Sequence, residues 1–234
     1  MHVFYVPDIE RLELPEEEAA HCARVLRMNE GDVVTITDGK GCFHEAELTV
    51  VTPKRCLFKV LQTHVPEALW SGRLHVAMAP TKHMDRVEWF AEKATEIGFD
   101  ELTFLNCRFS ERKVIKTERI DKILVSAMKQ SLKPVKPKLN EMTEFSRFVS
   151  RSFDGQKFIC HCYDDLGEKH PLKEVIVPGK DAVVMIGPEG DFSREEVLSA
   201  IEQGFVPVSL GRSRLRTETA ALVACHLLNL FNQK

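Results

Sequence analysis

The feature that most constrains this chain is the change of hydrophobic period at Leu74, where short apolar strands begin to alternate with helical segments. Strands are predicted at residues 74–79, 101–105, 158–163, 182–186 and 206–210, and helices at 85–97, at 118–130, from 193 and from 217. An alternation of this kind builds a parallel sheet that helices cover on both faces. We therefore predict an α/β domain over residues 72–234.

The first 68 residues follow a different pattern, because short β-branched or alternating strands dominate them. Strands are predicted at residues 3–6, 33–38, 43–51 and 55–63, with one short helix at 16–26. Residues 38–41 read Asp-Gly-Lys-Gly, a strong hairpin signal, since glycine tolerates the positive φ that such turns need. Short strands with tight turns favour a small β-barrel over residues 1–68, followed by a linker.

Composition places the chain among ordinary globular proteins. Of its 234 residues, 44% are hydrophobic and 29% charged, and no apolar run approaches the roughly 20 residues of a membrane span. The N-terminus lacks the basic start and apolar core of a signal peptide, so a cytoplasmic location is expected.

The seven cysteines include no Cys-x-x-Cys pair, which argues against disulfides and predicts no metal site. Cys160 and Cys162 are predicted to be buried residues of one strand.

Charge is distributed unevenly along the chain. Residues 108–138 hold ten basic residues and three acidic ones, a local charge of +7 that leaves −10 for the remainder of a chain whose total is −3. A basic segment of this kind suits phosphate contacts, because each neutralised phosphate releases condensed counterions. A solvated helix face explains the same segment equally well when it is taken alone.

Two segments at the ends of predicted strands have the composition of ligand-binding loops, because ligands of α/β sheets bind beyond the carboxyl ends of strands. Residues 187–193 read Gly-Pro-Glu-Gly-Asp-Phe-Ser, in which glycine allows close backbone approach and proline stiffens the turn. Ser193 and Glu196 are predicted to form a capping box for the next helix, a structural role that we prefer to catalysis for both residues. An ordinary strand-to-helix turn would also explain the glycines.

The second segment, residues 210–221, reads Leu-Gly-Arg-Ser-Arg-Leu-Arg-Thr-Glu-Thr-Ala-Ala and crowds three arginines at the start of a helix. A helix N-terminus carries partial positive charge, so cations there are unfavourable unless an anion or polar ligand offsets them. Thr217 is predicted to cap the helix, and Glu218 in its first turn is favourable for the same dipole reason. Arg216 has no comparable structural explanation.

Several common enzyme motifs are absent from the sequence. No Gly-x-Gly-x-x-Gly follows the first strand of the α/β region, and there is no Walker loop and no Gly-x-Ser-x-Gly elbow. These absences argue against a nicotinamide enzyme, a nucleoside triphosphatase and a serine hydrolase.

Both loop motifs closely resemble the signature loops of the small-subunit ribosomal RNA uridine-N3 methyltransferase family (RsmE), which lies in the SPOUT superfamily. Residues 21–27, 93–98, 110–112 and 130–131 resemble further motifs of that family in the same order, so the resemblance covers nearly the whole chain. It implies a PUA-like N-terminal barrel, a SPOUT α/β domain with a C-terminal trefoil knot, and a homodimer. General topology rules by themselves predict an ordinary open sheet.

The resemblance also implies ligands. S-adenosyl-L-methionine is the expected cofactor, 16S ribosomal RNA in the small ribosomal subunit is the expected substrate, and no membrane partner is expected. Cofactor contacts are expected from His161, Ile186, Gly187, Glu189, Gly190, Leu210, Gly211, Leu215, Arg216 and Thr217. RNA contacts are expected from Arg24, Arg27, Arg112, Lys129 and Lys133.

The reaction that the resemblance implies assigns roles to two residues. Moving a methyl group to uridine N3 requires in-line geometry and loss of the N3 proton. We expect Arg216 to stabilise the developing uracil anion, and Glu218 to orient Arg216 or to help accept the proton.

The sequence departs from the family pattern at two places. Asp191 stands where a further glycine is usual, and Leu132-Lys133-Pro134 replaces the more common Gly-Arg after Gln-Ser. A lysine binds phosphate as a point charge without the planar fork of arginine, so the RNA contact there is expected to differ in detail.

Two alternatives to this function remain at the level of the sequence. The first is a knotted methyltransferase that acts on another RNA or on a ribose oxygen, which would keep the cofactor loops and change the groups that face the base. The second is a binding protein that keeps the cofactor fold without turnover.

Overall fold

A computed structural model describes residues 2–234. The chain divides into two compact units. The first unit contains the residues up to Glu67 together with Val125–Lys136, and the second contains Ala68–Leu124 and Pro137–Lys234. The first unit therefore includes a segment, Val125–Lys136, that is distant in sequence from the rest of that unit.

The first unit is built on a four-stranded sheet. Its elements are β1 (Val3–Tyr5), a 3₁₀ turn (Ile9–Arg11), α1 (Glu16–Ala20) continued by a π-helical turn (His21–Val25), β2 (Val33–Thr37), β3 (Phe43–Val51) and β4 (Cys56–His64). The strand order is β1-β2-β3-β4, in which only β1 and β2 run parallel. Strands β1 and β4 are not direct partners among the described residues, but the segment that follows β1 pairs with β4: Glu13 bridges Leu57, Leu14 N donates to Cys56 O and Phe58 N donates to Leu12 O. These bonds connect the two ends of the sheet, as the predicted small barrel requires.

The predicted hairpin joins β2 to β3. Gly39 and Gly41 both have positive φ, +71° and +123°, which glycine adopts without the steric cost that a Cβ would add. The inward side chains of Ile36, Ala46 and Leu48 are fully buried and pack in the core of this unit. The alternation of inward and outward residues along β3 follows the two-residue period of a strand.

The second unit is a parallel sheet with helices. Its elements are β5 (Leu74–Met78), α2 (Met84–Ile97), β6 (Glu101–Asn106), α3 (Thr117–Gln130, which continues into the first unit), β7 (Lys138–Glu144), α4 (Phe145–Val149), β8 (Gln156–Cys160), β9 (His170–Pro171), α5 (Leu172–Val175), β10 (Ala182–Ile186), α6 (Arg194–Glu202), β11 (Val206–Ser209) and α7 (Thr217–Asn232). The strand order is β7-β6-β5-β10-β8-β11-β9, and every pairing is parallel. The predicted parallel α/β sheet is confirmed.

The core of the second unit lies on both faces of its sheet. Val76 and Met78 of β5 pack with Phe90 of α2 on one face, while Ala77 packs with Phe192 on the other. All five residues of β5 and of β10 are buried, as expected for central strands that are covered on both sides. Truncation of a fully buried side chain such as Phe90 would cost about 3–5 kcal/mol of stability.

Four elements were not predicted from the sequence: β7, α4, β9 and α5. The strand β7 reads Lys-Leu-Asn-Glu-Met-Thr-Glu, a largely polar edge strand with one buried residue. A strand that is half exposed at a sheet edge needs no apolar run, and β9 is only two residues long. No helix within residues 2–234 is long and apolar enough to cross a membrane.

Candidate active site

Three chain segments leave the sheet of the second unit side by side. Strand β8 lies between β10 and β11, and its Cys160 stands opposite both Ile186 and Val208. Since parallel strands end at the same edge, residues 187–193 and 210–216 emerge on either side of residues 161–163. Strand spacing puts the two outer segments roughly 10 Å apart at the points where they leave the sheet. The two predicted loops therefore flank one central segment rather than touching at their origins.

The first of these loops, residues 187–193, is fixed largely by its own contacts. Gly187, Pro188 and Phe192 are buried, and a Cβ added to Gly187 would lie 2.9 Å from the backbone nitrogen of Phe192. The glycine is thus required by packing within the loop. The predicted capping box is confirmed, because Ser193 Oγ accepts from Glu196 N and Glu196 Oε2 accepts from Ser193 N.

Asp191, the residue that departs from the family pattern, has a structural explanation. Its φ is +68°, a left-handed conformation that glycine favours and that aspartate tolerates better than most residues. Its carboxylate accepts hydrogen bonds from Cys162 N at 2.7 Å and from Phe192 N at 2.7 Å. The side chain that replaces the usual glycine therefore ties the loop after β10 to the segment after β8.

Glu189 and Arg112 hold the backbone between β5 and α2. Glu189 Oε1 accepts from Lys82 N at 2.9 Å, while Arg112 donates to the carbonyl oxygens of Thr81 and Lys82 at 3.2 and 2.6 Å. Both side chains were predicted as ligand contacts, and both make these contacts within the protein. Glu189 remains exposed and Arg112 half-buried.

His161 is buried and has no hydrogen-bond partner. It is 7% exposed, and neither Nδ1 nor Nε2 finds a partner among residues 2–234. Burial, with a smaller contribution from Lys169, lowers the pKa of the imidazole, so the ring is held in its neutral form. The ring of Tyr163 lies beside it, with centroids 6.0 Å apart. A neutral imidazole in this place offers one donor and one acceptor to a ligand.

The prediction that Cys162 is a buried strand residue is wrong. Strand β8 ends at Cys160, so the alternation of buried and exposed positions does not extend to Cys162, which is exposed. Burial, and then the nearby Asp191 carboxylate, raise the pKa of the Cys162 thiol. The thiol is therefore a poor nucleophile despite its exposure.

The second loop, residues 210–216, is open to solvent where the first is packed. Gly211, Arg212, Ser213, Arg214 and Arg216 are all exposed, while Leu210 and Leu215 are half-buried. A Cβ on Gly211 would meet no atom within 4 Å, although its φ of +128° favours glycine. The prediction that Thr217 caps the following helix is wrong, because Arg216 is the N-cap residue and Thr217 is the buried first residue of α7.

Glu218 in the first turn of α7 faces an arginine that the sequence did not suggest. Its side chain is 9% exposed, and Oε1 lies 3.8 Å from Arg86 Nε on α2. The other oxygen, Oε2, is buried and has no hydrogen-bond partner within the described chain. No local pattern could reveal this pair, since 131 positions separate two charges that only the packing of α2 against α7 brings together.

The buried polar atoms without partners in the second unit lie along one edge of its sheet. In the part of the second unit that the structure describes, they are Asn106 Oδ1, both ring nitrogens of His161 and Glu218 Oε2. Asn106 is the last residue of β6, His161 follows β8 and Glu218 follows the loop after β11. All of them therefore lie at the carboxyl edge of the sheet, where α/β proteins bind ligands.

Comparisons with known proteins agree with this geometry. The RNA methyltransferase domain family matches residues 69–229, and the RNA methyltransferase PUA domain family matches residues 14–61. The chain belongs to the ribosomal RNA small subunit methyltransferase E family. A probable rRNA methyltransferase from Porphyromonas gingivalis is 41% identical, with a TM-score of 0.94 over 99% of this chain and 98% of that one.

Two further relatives carry the name of the family. Ribosomal RNA small subunit methyltransferase E from Neisseria gonorrhoeae, solved with bound S-adenosyl methionine, is 26% identical, with a TM-score of 0.85 over 96% of this chain and 95% of that one. Its namesake from Bacillus subtilis strain 168 is 27% identical over 89% of this chain and 85% of the relative. The RNA methyltransferase fold thus extends over the whole described chain.

The residues of this methyltransferase that are expected to contact RNA differ in exposure and in ion pairing. Arg24 and Arg27 are exposed, and neither forms an ion pair among residues 2–234. Lys129 forms an ion pair with Glu18 at 2.5 Å within the first unit. Lys133, which replaces the usual arginine, is only 7% exposed. The two arginines are therefore better placed to contact phosphate than the two lysines.

Proposed function

We propose that this chain is an S-adenosylmethionine-dependent methyltransferase that methylates N3 of a uridine in 16S ribosomal RNA. The observation that carries the proposal is the concentration of unpartnered buried polar atoms at the carboxyl edge of the sheet, on Asn106, His161 and Glu218. Leaving a buried donor or acceptor unsatisfied costs about 1–3 kcal/mol. A polar ligand that bonds these groups removes that cost, and the N. gonorrhoeae relative binds S-adenosyl methionine.

The residues at this edge fit such a cofactor. The neutral His161 ring offers a donor and an acceptor, and the unobstructed backbone of Gly211 allows close approach. The cofactor, when bound, supplies an electrophilic methyl group. We assign its binding to His161, Ile186, Gly187, Glu189, Gly190, Leu210, Gly211, Leu215, Arg216 and Thr217.

Arg216 and Glu218 take the catalytic roles in this proposal. Arg216 is exposed and forms no ion pair among the described residues, so its guanidinium is available to stabilise the uracil anion that forms as N3 loses its proton. Glu218 is held near Arg86 with one oxygen unsatisfied, which suits a carboxylate that accepts that proton or orients Arg216. The Glu218 side chain is only 9% exposed, so solvent screens its carboxylate less than it screens the exposed Arg216.

The finer architecture belongs to the same proposal. We assign residues 1–68 to a PUA-like RNA-binding domain and residues 72–234 to a SPOUT domain that ends in a trefoil knot. The enzyme acts as a homodimer in the cytoplasm on the small ribosomal subunit. Arg24, Arg27, Arg112, Lys129 and Lys133 are the proposed RNA contacts, among which the exposed arginines contribute most.

The test uses the purified chain, labelled S-adenosylmethionine and small ribosomal subunits from a strain without the gene. Nucleoside mass spectrometry should find 3-methyluridine in 16S ribosomal RNA only when the chain is added. Methylation at a ribose oxygen or at another base would refute the assigned position. Cofactor binding without any transfer to RNA would instead identify a binding protein.

A further inference from the structure

A second group of polar side chains lies in the first unit, at the β2–β3 hairpin. Asp38, Cys42 and His44 each offer one ligand atom, and these three atoms lie within 4.8 Å of one another. Asp38 begins the turn, Cys42 closes it, and His44 is the second residue of β3. Cys42 immediately precedes β3, so the cluster spans the turn and the start of that strand.

His44 is buried, and one of its ring nitrogens lacks a hydrogen-bond partner within the described chain. It is 6% exposed, and its Nε2 has no hydrogen-bond partner among residues 2–234. Its Nδ1 lies 3.0 Å from Thr63 Oγ1. The threonine hydroxyl can accept the Nδ1 proton, and this tautomer leaves a lone pair on Nε2. An outer hydrogen bond of this kind orients histidine ligands in metal sites.

We propose that Asp38, Cys42 and His44 bind a divalent transition metal, with Zn²⁺ as the preferred ion. Carboxylate oxygen, thiolate sulfur and imidazole nitrogen are the three donor types of protein zinc sites. Three protein ligands leave one position of a tetrahedral ion for water. Binding forms Zn–O, Zn–S and Zn–N bonds and displaces the proton of the Cys42 thiol to solvent.

The hairpin can close around such an ion. Ligand atoms in a tetrahedral zinc site are roughly 3.5 Å apart, and the present atoms all lie within 4.8 Å of one another, so at most a small contraction is needed. Gly39 and Gly41 lie between two of the ligands and allow the turn to adjust. The metal would cross-link the β2–β3 turn to the start of β3 and stabilise the first unit, because a ligand that binds only the folded state raises its stability.

The experiment uses the full chain with reduced thiols, stripped with a chelator and then titrated with ZnCl₂. We expect about one tightly bound Zn²⁺ per chain, a higher melting temperature with the metal, and a thiolate-to-metal charge-transfer band when Co²⁺ replaces Zn²⁺. Cys42→Ser and Asp38→Asn should each weaken Zn²⁺ binding by about 10-fold or more, and Thr63→Val by roughly 10-fold.

Matched controls isolate the cluster. Cys162→Ser removes an exposed thiol elsewhere, and His64→Ala removes an exposed histidine from the end of β4, so both should bind Zn²⁺ as the wild type does. His44→Gln should abolish binding, and Cys42→Ser provides the test if that buried substitution prevents folding. Absence of tight Zn²⁺ binding to the wild type, or equal binding to Cys42→Ser and wild type, would overturn the proposal.

Discussion

The two edges of the parallel sheet differ in how far their buried polar groups are hydrogen-bonded within the protein. At the carboxyl edge, His161 and Glu218 keep buried atoms without partners. At the amino edge, His75 Nε2 lies 2.8 Å from Thr103 Oγ1, and Asp100 accepts from Trp70 Nε1 and Leu74 N at 3.0 and 2.7 Å. The amino edge thus satisfies these polar groups within the protein, whereas His161 and Glu218 at the carboxyl edge keep atoms without a partner among the described residues.

Concavity alone does not distinguish the two edges. A cavity of about 310 Å³ opens at the amino edge, where Arg73, His75, Glu101 and Arg151 line it. Two of the charges there are already paired with each other, since Arg73 donates to Glu101 at 2.5 Å and Asn140 donates to the same carboxylate at 2.6 Å. Unsatisfied polar atoms therefore distinguish the two edges, and cavity volume does not. Substitutions at the carboxyl edge should therefore affect activity, and those at the amino edge stability.

The largest effect is expected for Arg216→Ala. Loss of the charge that stabilises the uracil anion should lower kcat/KM for methyl transfer by about 10²–10³-fold. The melting temperature should stay within a degree or two of wild type, because the side chain is exposed. Arg212→Ala, an exposed arginine of the same loop, is the matched control and should retain most activity. A rate for Arg216→Ala within a few-fold of wild type would refute the electrostatic role.

Glu218→Gln should reduce the rate by about 10²-fold, since the amide cannot accept a proton. Stability should change by less than about 1 kcal/mol, because the variant removes a buried charge but loses the charge contact with Arg86 and still buries one polar atom without a partner. The pH dependence of kcat separates the two roles. If Glu218 is the base, the fall of kcat at low pH seen in the wild type should disappear in the variant; if Glu218 orients Arg216, the shape of the profile should stay the same. Glu202→Gln on the exposed surface of α6 serves as the control. Full activity of Glu218→Gln would exclude both roles.

His75 tests the amino edge through pH. Burial lowers its pKa from 6.5 to about 4, so the folded state holds the ring neutral while the unfolded chain takes up a proton below pH 6.5. Stability is therefore complete above pH 6.5 and falls as the pH drops toward 4, by about 3 kcal/mol in all.

Urea unfolding at pH 7 and at pH 4.5 measures this loss. His75→Gln should flatten the pH dependence, and His170→Gln, at an exposed position, should leave it as in the wild type. An identical slope in wild type and His75→Gln would show that another group controls acid stability.

The smallest effect is expected for Asp191, which has a structural role at the functional edge. Asp191→Ala should lower the free energy of unfolding by about 2 kcal/mol. The variant keeps the left-handed backbone at φ +68° but loses the two hydrogen bonds that the carboxylate accepts from Cys162 N and Phe192 N. Asp191→Asn keeps an acceptor oxygen and should cost about half as much. Denaturant unfolding checks both values, and equal stability of the Ala variant and the wild type would contradict this account.

Several elements could be predicted from local sequence because their physical cause is local. The run of five apolar residues at Ala182–Ile186 predicted β10 with its observed bounds, and the spacing of Ser193 and Glu196 predicted the capping box. Where the cause is not local, prediction failed. The end of β8 at Cys160 depends on its pairing partners, and the polar strand β7 exists only because it pairs with β6.

The sequence by itself determined the class of the fold, the positions of both loops and their resemblance to a methyltransferase family, because hydrophobic period and short motifs are local properties of the chain. Only the tertiary structure decided that Glu218 faces Arg86, that Asp191 binds the backbone of Cys162, and that His44 meets Asp38 and Cys42 beside an unsatisfied nitrogen. The first two contacts depend on which strands and helices pack together, a choice made by the energy of the whole core. The third depends on the three-dimensional course of the β2–β3 turn.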